Sequence, residues 1–259
     1  MADVSHGHIV AAYDAEFKKL TKLISRMGGL AESQLANALT AIEKRDNALA
    51  KTVKDGDKEI DALEREIESL VVRMLALRQP VANDLRYIVA TLRTSSDIER
   101  IGDYAKNIAK RALALNQLPA EPLLRGVVRI GRPVQTMLKD VMDAHLQGDT
   151  GKAVEVWEAD EDVDALYTSL FRELLTYMME DPRHITPCTH LLFIAKNLER
   201  IGDHATNIAE TIHFQVEGVA LGERRPKADA SNYATLQPED EDGDDDDDDL
   251  REDKDESDA

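Results

Sequence analysis

A chain of 259 residues with 51 acidic against 32 basic side chains, net −19, argues against nucleic acid as a partner of its body. Aromatic residues make up only 4% and Cys188 is the sole cysteine, which excludes a disulfide framework and a cysteine-built zinc site and argues against a β-sandwich. No apolar run approaches the roughly 20 residues of a spanning helix, and the first residues lack a basic-then-apolar leader, so a soluble, cytoplasmic protein is expected.

The helices read out in chain order. Leu20, Ile24, Met27, Ala31, Leu35, Ala38 and Ile42 recur at steps of three and four, the stripe of an amphipathic helix. Ile60, Leu63, Ile67, Leu70, Met74 and Leu77 form a second stripe, and Pro80 in "RQPVAND" ends it. A third helix is expected from about Asn83 to Leu115, before the proline-containing linker "NQLPAEP". Val127, Ile130, Val134, Met137 and Val141 mark a fourth, kinked at Pro133. A fifth is expected from about Gly151 to Glu180, broken by "DPRHITPCT", and a sixth follows.

Three helices, a linker and three more helices describe an all-α fold of two tandem three-helix bundles, over 8–116 and 121–220. From Gly222 onward there are seventeen acids and five bases, a net of −12, which leaves −7 for the preceding residues. With almost no apolar content, 222–259 is expected to be a disordered acidic tail.

The halves repeat one another. "ERIGDYAKNIA" from Glu99 and "ERIGDHATNIA" from Glu199 agree at nine of eleven positions, and Asp46, Asp57 and Asp61 align with Asp149, Asp160 and Asp164. Ile98, Ile101, Ala105 and Ile108 define a buried stripe, and Glu99 and Asp103 project one turn apart from the opposite side. Glu199 and Asp203 repeat this, and Asp57/Asp61 and Asp160/Asp164 supply acid pairs on the second helix of each half. Like charges at this spacing destabilise a helix, and mid-helix Gly102 and Gly202 each cost about 1 kcal/mol relative to alanine. Four carboxylates brought together from neighbouring helices repel unless a cation joins them. An all-oxygen set suits Mg²⁺, Mn²⁺, Ca²⁺ or iron better than a closed structural zinc site. Spacing alone leaves metal binding and a solvated charged face both open. Asn107 and Asn207, one turn further on, are candidate supporting donors.

Other motifs say less. "ETIH" at Glu210–His213 has the Glu-x-x-His form of di-iron bundles but no counterpart in the first half. Phosphate-binding loop, dinucleotide fingerprint and nucleophile elbow are absent from the sequence, and no nucleophile can be placed beside a base, so no enzyme is expected. Two rival readings are a carboxylate-bridged metal enzyme and a helical metal-sequestering protein.

The segments "DKEIDALEREIE", "QPVANDLRYI" and "DIERIGDYAKNIAKRA", with "DEDVDALYTSLF" and "NLERIGDHATNIAETI", resemble the PhoU family over about Asp14 to Gly218. The resemblance implies two metal-cluster sites, Asp57, Asp61, Glu99 and Asp103 in one half and Asp160, Asp164, Glu199 and Asp203 in the other. Their occupants would be divalent or trivalent metal ions, with iron, Mn, Mg and Zn all in play. It also implies an adaptor in phosphate homeostasis, a negative regulator of the phosphate-starvation response. Its partners would be the phosphate ABC transporter's ATPase subunit and a sensor histidine kinase, with peripheral membrane association through them and a homodimeric state. Two features depart from the family pattern: Tyr167 stands where the first half has Glu64, and the polyaspartate tail is extra.

Overall fold

The computed structural model describes residues 3–119 and 123–222, with side chains from Tyr13 onward, Arg78 excepted. The tail expected to be disordered falls outside them, apart from Gly222. The first half comprises α1 (Asp3–Glu43), α2 (Asn47–Arg78) and α3 (Ala82–Leu115). The second comprises α4 (Leu124–Gln147), α5 (Thr150–Glu158), α6 (Asp160–Glu180), a 3₁₀ turn at Pro182–His184 and α7 (Ile185–Glu217). The expected fifth helix is therefore two, parted at Ala159, whereas its counterpart α2 is unbroken. The break puts Asp160, Glu161 and Asp162 in the first turn of α6, where acids favour the unpaired N–H groups and the helix dipole.

The duplicated aspartates Asp46 and Asp149 start equivalent helices. Asp46 Oδ1 accepts from the Ala48 and Leu49 backbone N–H at 2.9 and 3.0 Å, and Asp149 Oδ1 accepts from Lys152 at 3.0 Å. Each such cap is worth about 1 kcal/mol. Arg45, next to the Asp46 cap, ties the same end of the bundle to the end of α3, its guanidinium donating to the Asn116 carbonyl at 2.8 Å and to that of Leu118.

The predicted stripes become the core. Leu20, Ile24, Met27, Ala31, Leu35, Ala38 and Ile42 are buried, as are Ile60 to Met74 of the second stripe and Val127 to Val141 of the fourth. Leu77 is an exception, 67% exposed near the end of α2. Surface pairs run antiparallel between α1 and α2, Lys19 with Glu66 at 2.6 Å and Arg26 with Glu59 at 2.5 Å, and add little on their own.

The halves share one core and meet chiefly along α3 and α7. Arg93 lies over Phe214, Asp97 bonds His204, Tyr104 faces Arg200 and His204, and Arg111 reaches His190 and Phe193. As α3 advances its partners on α7 recede, so the two copies of the repeated helix pack antiparallel. Tyr104 and His204, equivalent positions in the repeat, are in ring contact at 5.6 Å. The copies are thus related by a local twofold axis passing near that contact.

Candidate functional site

With α7 on one side of α3, α2 covers another, and that is where the acids lie. Asp57 is 3% exposed, while Asp61, Glu99 and Asp103 are half-buried beside it. The face that helical projection assigns to solvent is thus covered by a neighbouring helix. Close approach depends on Gly102: a Cβ there would stand 2.9 Å from Ile60 Cδ1 and 3.6 Å from Asp57 Oδ1. Gly202 repeats this against Asp160 Oδ1, at 3.2 Å. Gly202 thus makes room for Asp160, whereas Gly102 makes room for Ile60, with Asp57 at ordinary contact distance.

Burial pushes the Asp57 carboxyl upward; the Lys106 ammonium works against this, and Asp61 and Asp103 add to it. Burial likewise raises Glu99, with Asp103 the next contributor. Glu64, a fifth acid, is raised to about 6 by burial and then by Glu99, Glu68 and Asp61. The cluster has an internal counter-ion. Lys106 Nζ donates to Asp57 Oδ2 and to Asp103 Oδ1, the latter at 2.6 Å. Burial alone would lower the Lys106 pKa, but the hydrogen bonds it donates to Asp103 and Asp57 outweigh this and raise it.

In the second half Asp160, Asp164 and Glu199 are all buried and Asp203 is half-buried. Here the cation is Lys196, one turn before the motif, whose Nζ donates to Glu199 Oε1 at 2.9 Å and lies 4.9 Å from the Tyr167 ring centre. Burial raises the Glu199 pKa, the Lys196 hydrogen bond opposes it, and the Asp203 charge adds to it. The repeat is not copied at these positions: Thr206 matches Lys106, Ser96 matches Lys196, and Tyr167 matches Glu64.

The donor chemistry fits a hard cation. Only carboxylate oxygens are present, and Asp57 Oδ1 and Glu199 Oε2 are buried without a hydrogen-bond donor. The arrangement fits less well: among the described residues no three acidic, histidine or cysteine side chains are placed to hold one ion together. In the first cluster, Lys106 occupies the position between Asp57 and Asp103 that a cation would take.

Sequence reasoning missed both lysines, although Lys106 lies three residues after Asp103 and Lys196 three before Glu199, the spacing of a helical ion pair. The candidate supporting asparagines serve other groups. Asn107 Oδ1 accepts a 3.4 Å bond from Lys110, and Asn207 donates to Asp97 at 3.4 Å. "ETIH" is structural, because Glu210 accepts from the Trp157 indole at 3.0 Å and His213 Nδ1 lies 3.1 Å from the Val219 carbonyl.

Fold and site together define a duplicated helical-bundle protein with an ion-paired acid cluster in each half and no catalytic constellation among the described residues. The family model for the PhoU domain matches residues 24–112 and 127–212, one match in each half. The chain belongs to the PhoU family. It is 55% identical over 223 residues to the phosphate-specific transport system accessory protein PhoU homolog of Caulobacter vibrioides, covering 86% of this chain and 97% of the relative. Against the Escherichia coli K12 accessory protein PhoU the identity is 40%, over 82% of this chain and 88% of the relative. The crystal structure of PhoU from Pseudomonas aeruginosa superposes with a TM-score of 0.79 at 40% identity, covering 80% of this chain and all of that one. The phosphate transport system regulatory protein PhoU from Streptococcus pneumoniae gives 0.74 at 29% identity, covering 81% and 99%. These relatives are named as accessory and regulatory proteins, not enzymes. Among the described residues, no helix is long and apolar enough to cross a membrane.

Proposed function

We propose that this chain is a cytoplasmic accessory protein of phosphate transport that restrains the phosphate-starvation response. It does so as an adaptor between the phosphate transporter's ATPase subunit and a sensor histidine kinase. The observation that carries the reading is the match of the whole helical body, at 55% identity, to an accessory protein of that transport system. The architecture suits an adaptor, because long helices around one continuous core make a stiff body on which partner helices can seat.

We further propose that Asp57, Asp61, Glu99 and Asp103, and Asp160, Asp164, Glu199 and Asp203, hold divalent or trivalent ions when loaded. The support is the buried carboxylate oxygens without donors, and the upward shifts of Glu99 and Glu199, caused by burial first and increased by the neighbouring Asp103 and Asp203 charges. A bound ion would supply the positive charge that Lys106 and Lys196 now supply, and an ion entering the first cluster competes with the Lys106 ammonium for Asp57 and Asp103.

Affinity purification from the native host, shifted between low and high phosphate, tests the adaptor. Recovery of a transporter ATPase or histidine kinase is expected, and recovery of neither under both conditions overturns it. Elemental analysis of the protein with Asp57, Asp61, Glu99 and Asp103 replaced by Ala tests the first cluster. Metal content should fall; unchanged stoichiometry removes the assignment.

A further inference from the structure

The antiparallel seam leaves a cavity of about 420 Å³ where the C-terminal part of α3 passes the start of α7, lined by Asn107, Lys110, Arg111, His190, Phe193 and Asn197, with Ala114 at one side. In a body with an acidic balance this lining is unusual, because it carries two permanent cations and no carboxylate. Neither cation has an acidic partner among the described residues. Lys110 makes only the 3.4 Å contact with Asn107, and Arg111 is held over the Phe193 ring at 4.4 Å and beside His190 Nδ1 at 3.4 Å.

The duplication supplies an internal control. The positions related to this lining are Asn207, Glu210, Thr211, Phe214, Ala90, Arg93 and Asp97. There the equivalents of Lys110 and Asn197 are acids, and Glu210 is engaged by Trp157. The same helix crossing therefore forms with a single cation, Arg93 over Phe214, and without counterparts of Lys110, Arg111 and His190, so packing does not require those three residues.

We propose that this cavity binds a phosphate monoester of small-molecule size. Arg111 offers a planar fork of donors already fixed in place by the ring beneath it, and Lys110 adds a mobile charge, the combination that suits a phosphoryl group. A guanidinium can only donate, so His190 Nδ1 accepts from Arg111 and Nε2 carries the remaining N–H. Burial, then the Arg111 charge, holds His190 below the ordinary imidazole range, so at neutral pH the ring is an uncharged donor. The volume exceeds what a bare oxyanion fills and falls within the roughly 300–1,000 Å³ of small-molecule sites. Phe193 and Ala114 give the organic part an apolar wall, and Asn107 and Asn197 offer hydrogen bonds to its hydroxyls.

The experiment is isothermal titration of the full chain, with chelator present to exclude metal-bridged binding, against adenosine 5′-monophosphate, orthophosphate and adenosine. The monophosphate should bind with a dissociation constant below about 1 mM, orthophosphate more weakly and adenosine not measurably. Replacing Lys110 and Arg111 together by Gln should weaken the monophosphate about tenfold or more. Phe193→Ala should weaken the monophosphate but not orthophosphate. If the double variant fails to fold by circular dichroism, Lys110→Gln alone, at an exposed position, should still weaken binding about threefold. The proposal is overturned by no saturable binding of the monophosphate, by binding indifferent to Lys110 and Arg111, or by adenosine binding equally well. Orthophosphate binding as tightly as the ester also overturns it, because the site then takes an anion alone.

Discussion

His204 of α7 sits with Nδ1 2.8 Å from Asp97 Oδ1 of α3, a hydrogen bond that joins the two halves across the centre of their seam. The repeat is broken here, since the equivalent positions hold Tyr104 and Asn197. A double-mutant cycle with Asp97→Ala and His204→Ala, read by chemical denaturation, should give a coupling of about 1 kcal/mol. Additive single effects would show that the two side chains do not work as a pair.

Lys106→Met removes the ammonium that joins Asp57 and Asp103 and leaves Asp57 buried beside Asp61 and Asp103. In chelator, the variant should lose about 2 kcal/mol, a drop in Tm of some 6 °C. Added Mn²⁺ should recover more of that loss in the variant than it adds to the parent, because the ion no longer competes with a lysine. Calorimetry with and without Mn²⁺ reads both effects.

Gly102→Ala gains helix propensity of roughly 1 kcal/mol but drives a methyl to 2.9 Å from the buried Ile60 Cδ1. The net result should be destabilising by about 1 kcal/mol. Ile60→Val, which deletes the methyl that is struck, should cost less in the Gly102→Ala background than in the parent. Equal costs in both backgrounds would place the strain elsewhere.

Glu64 predicts the pH dependence of the ion-free protein. Its folded-state pKa lies near 6, above the ordinary 4.5 for Glu, so between those values the folded state binds more protons than the unfolded chain. Stability from this group therefore falls as pH rises from about 4.5 to about 6 and stays lower above that. Glu64→Gln should raise Tm at pH 7 and flatten the Tm profile across that window; a parallel profile would remove Glu64 as the cause.

The helices were legible because apolar side chains at steps of three and four have one packing solution, and Ile24, Ile67 and Val134 all reach the core. The acid pairs were legible as a pattern but not as a place. Projection around one helix sends Glu99 and Asp103 away from Ile101, yet cannot reveal that α2 arrives on that side through the gap at Gly102. Which cation answers the acids depends on contacts between helices, so Lys106 over Asp57 was hidden while Asp57 itself was not. The break at Ala159 left no mark in composition, because the residue keeps right-handed helical dihedrals, φ −64° and ψ −14°.

The antiparallel contact of α3 with α7 places one copy of the unit against the other as two subunits of a symmetric dimer would be placed. Joined in a single chain, that dimer escapes a constraint that identical subunits cannot. A substitution in a true homodimer appears on both faces at once, whereas here one face can change while its twin stays put. Lys106 against Thr206, Glu64 against Tyr167, and Lys110 against Glu210 record that freedom. One ancestral surface has become two, able to greet different neighbours from the same scaffold.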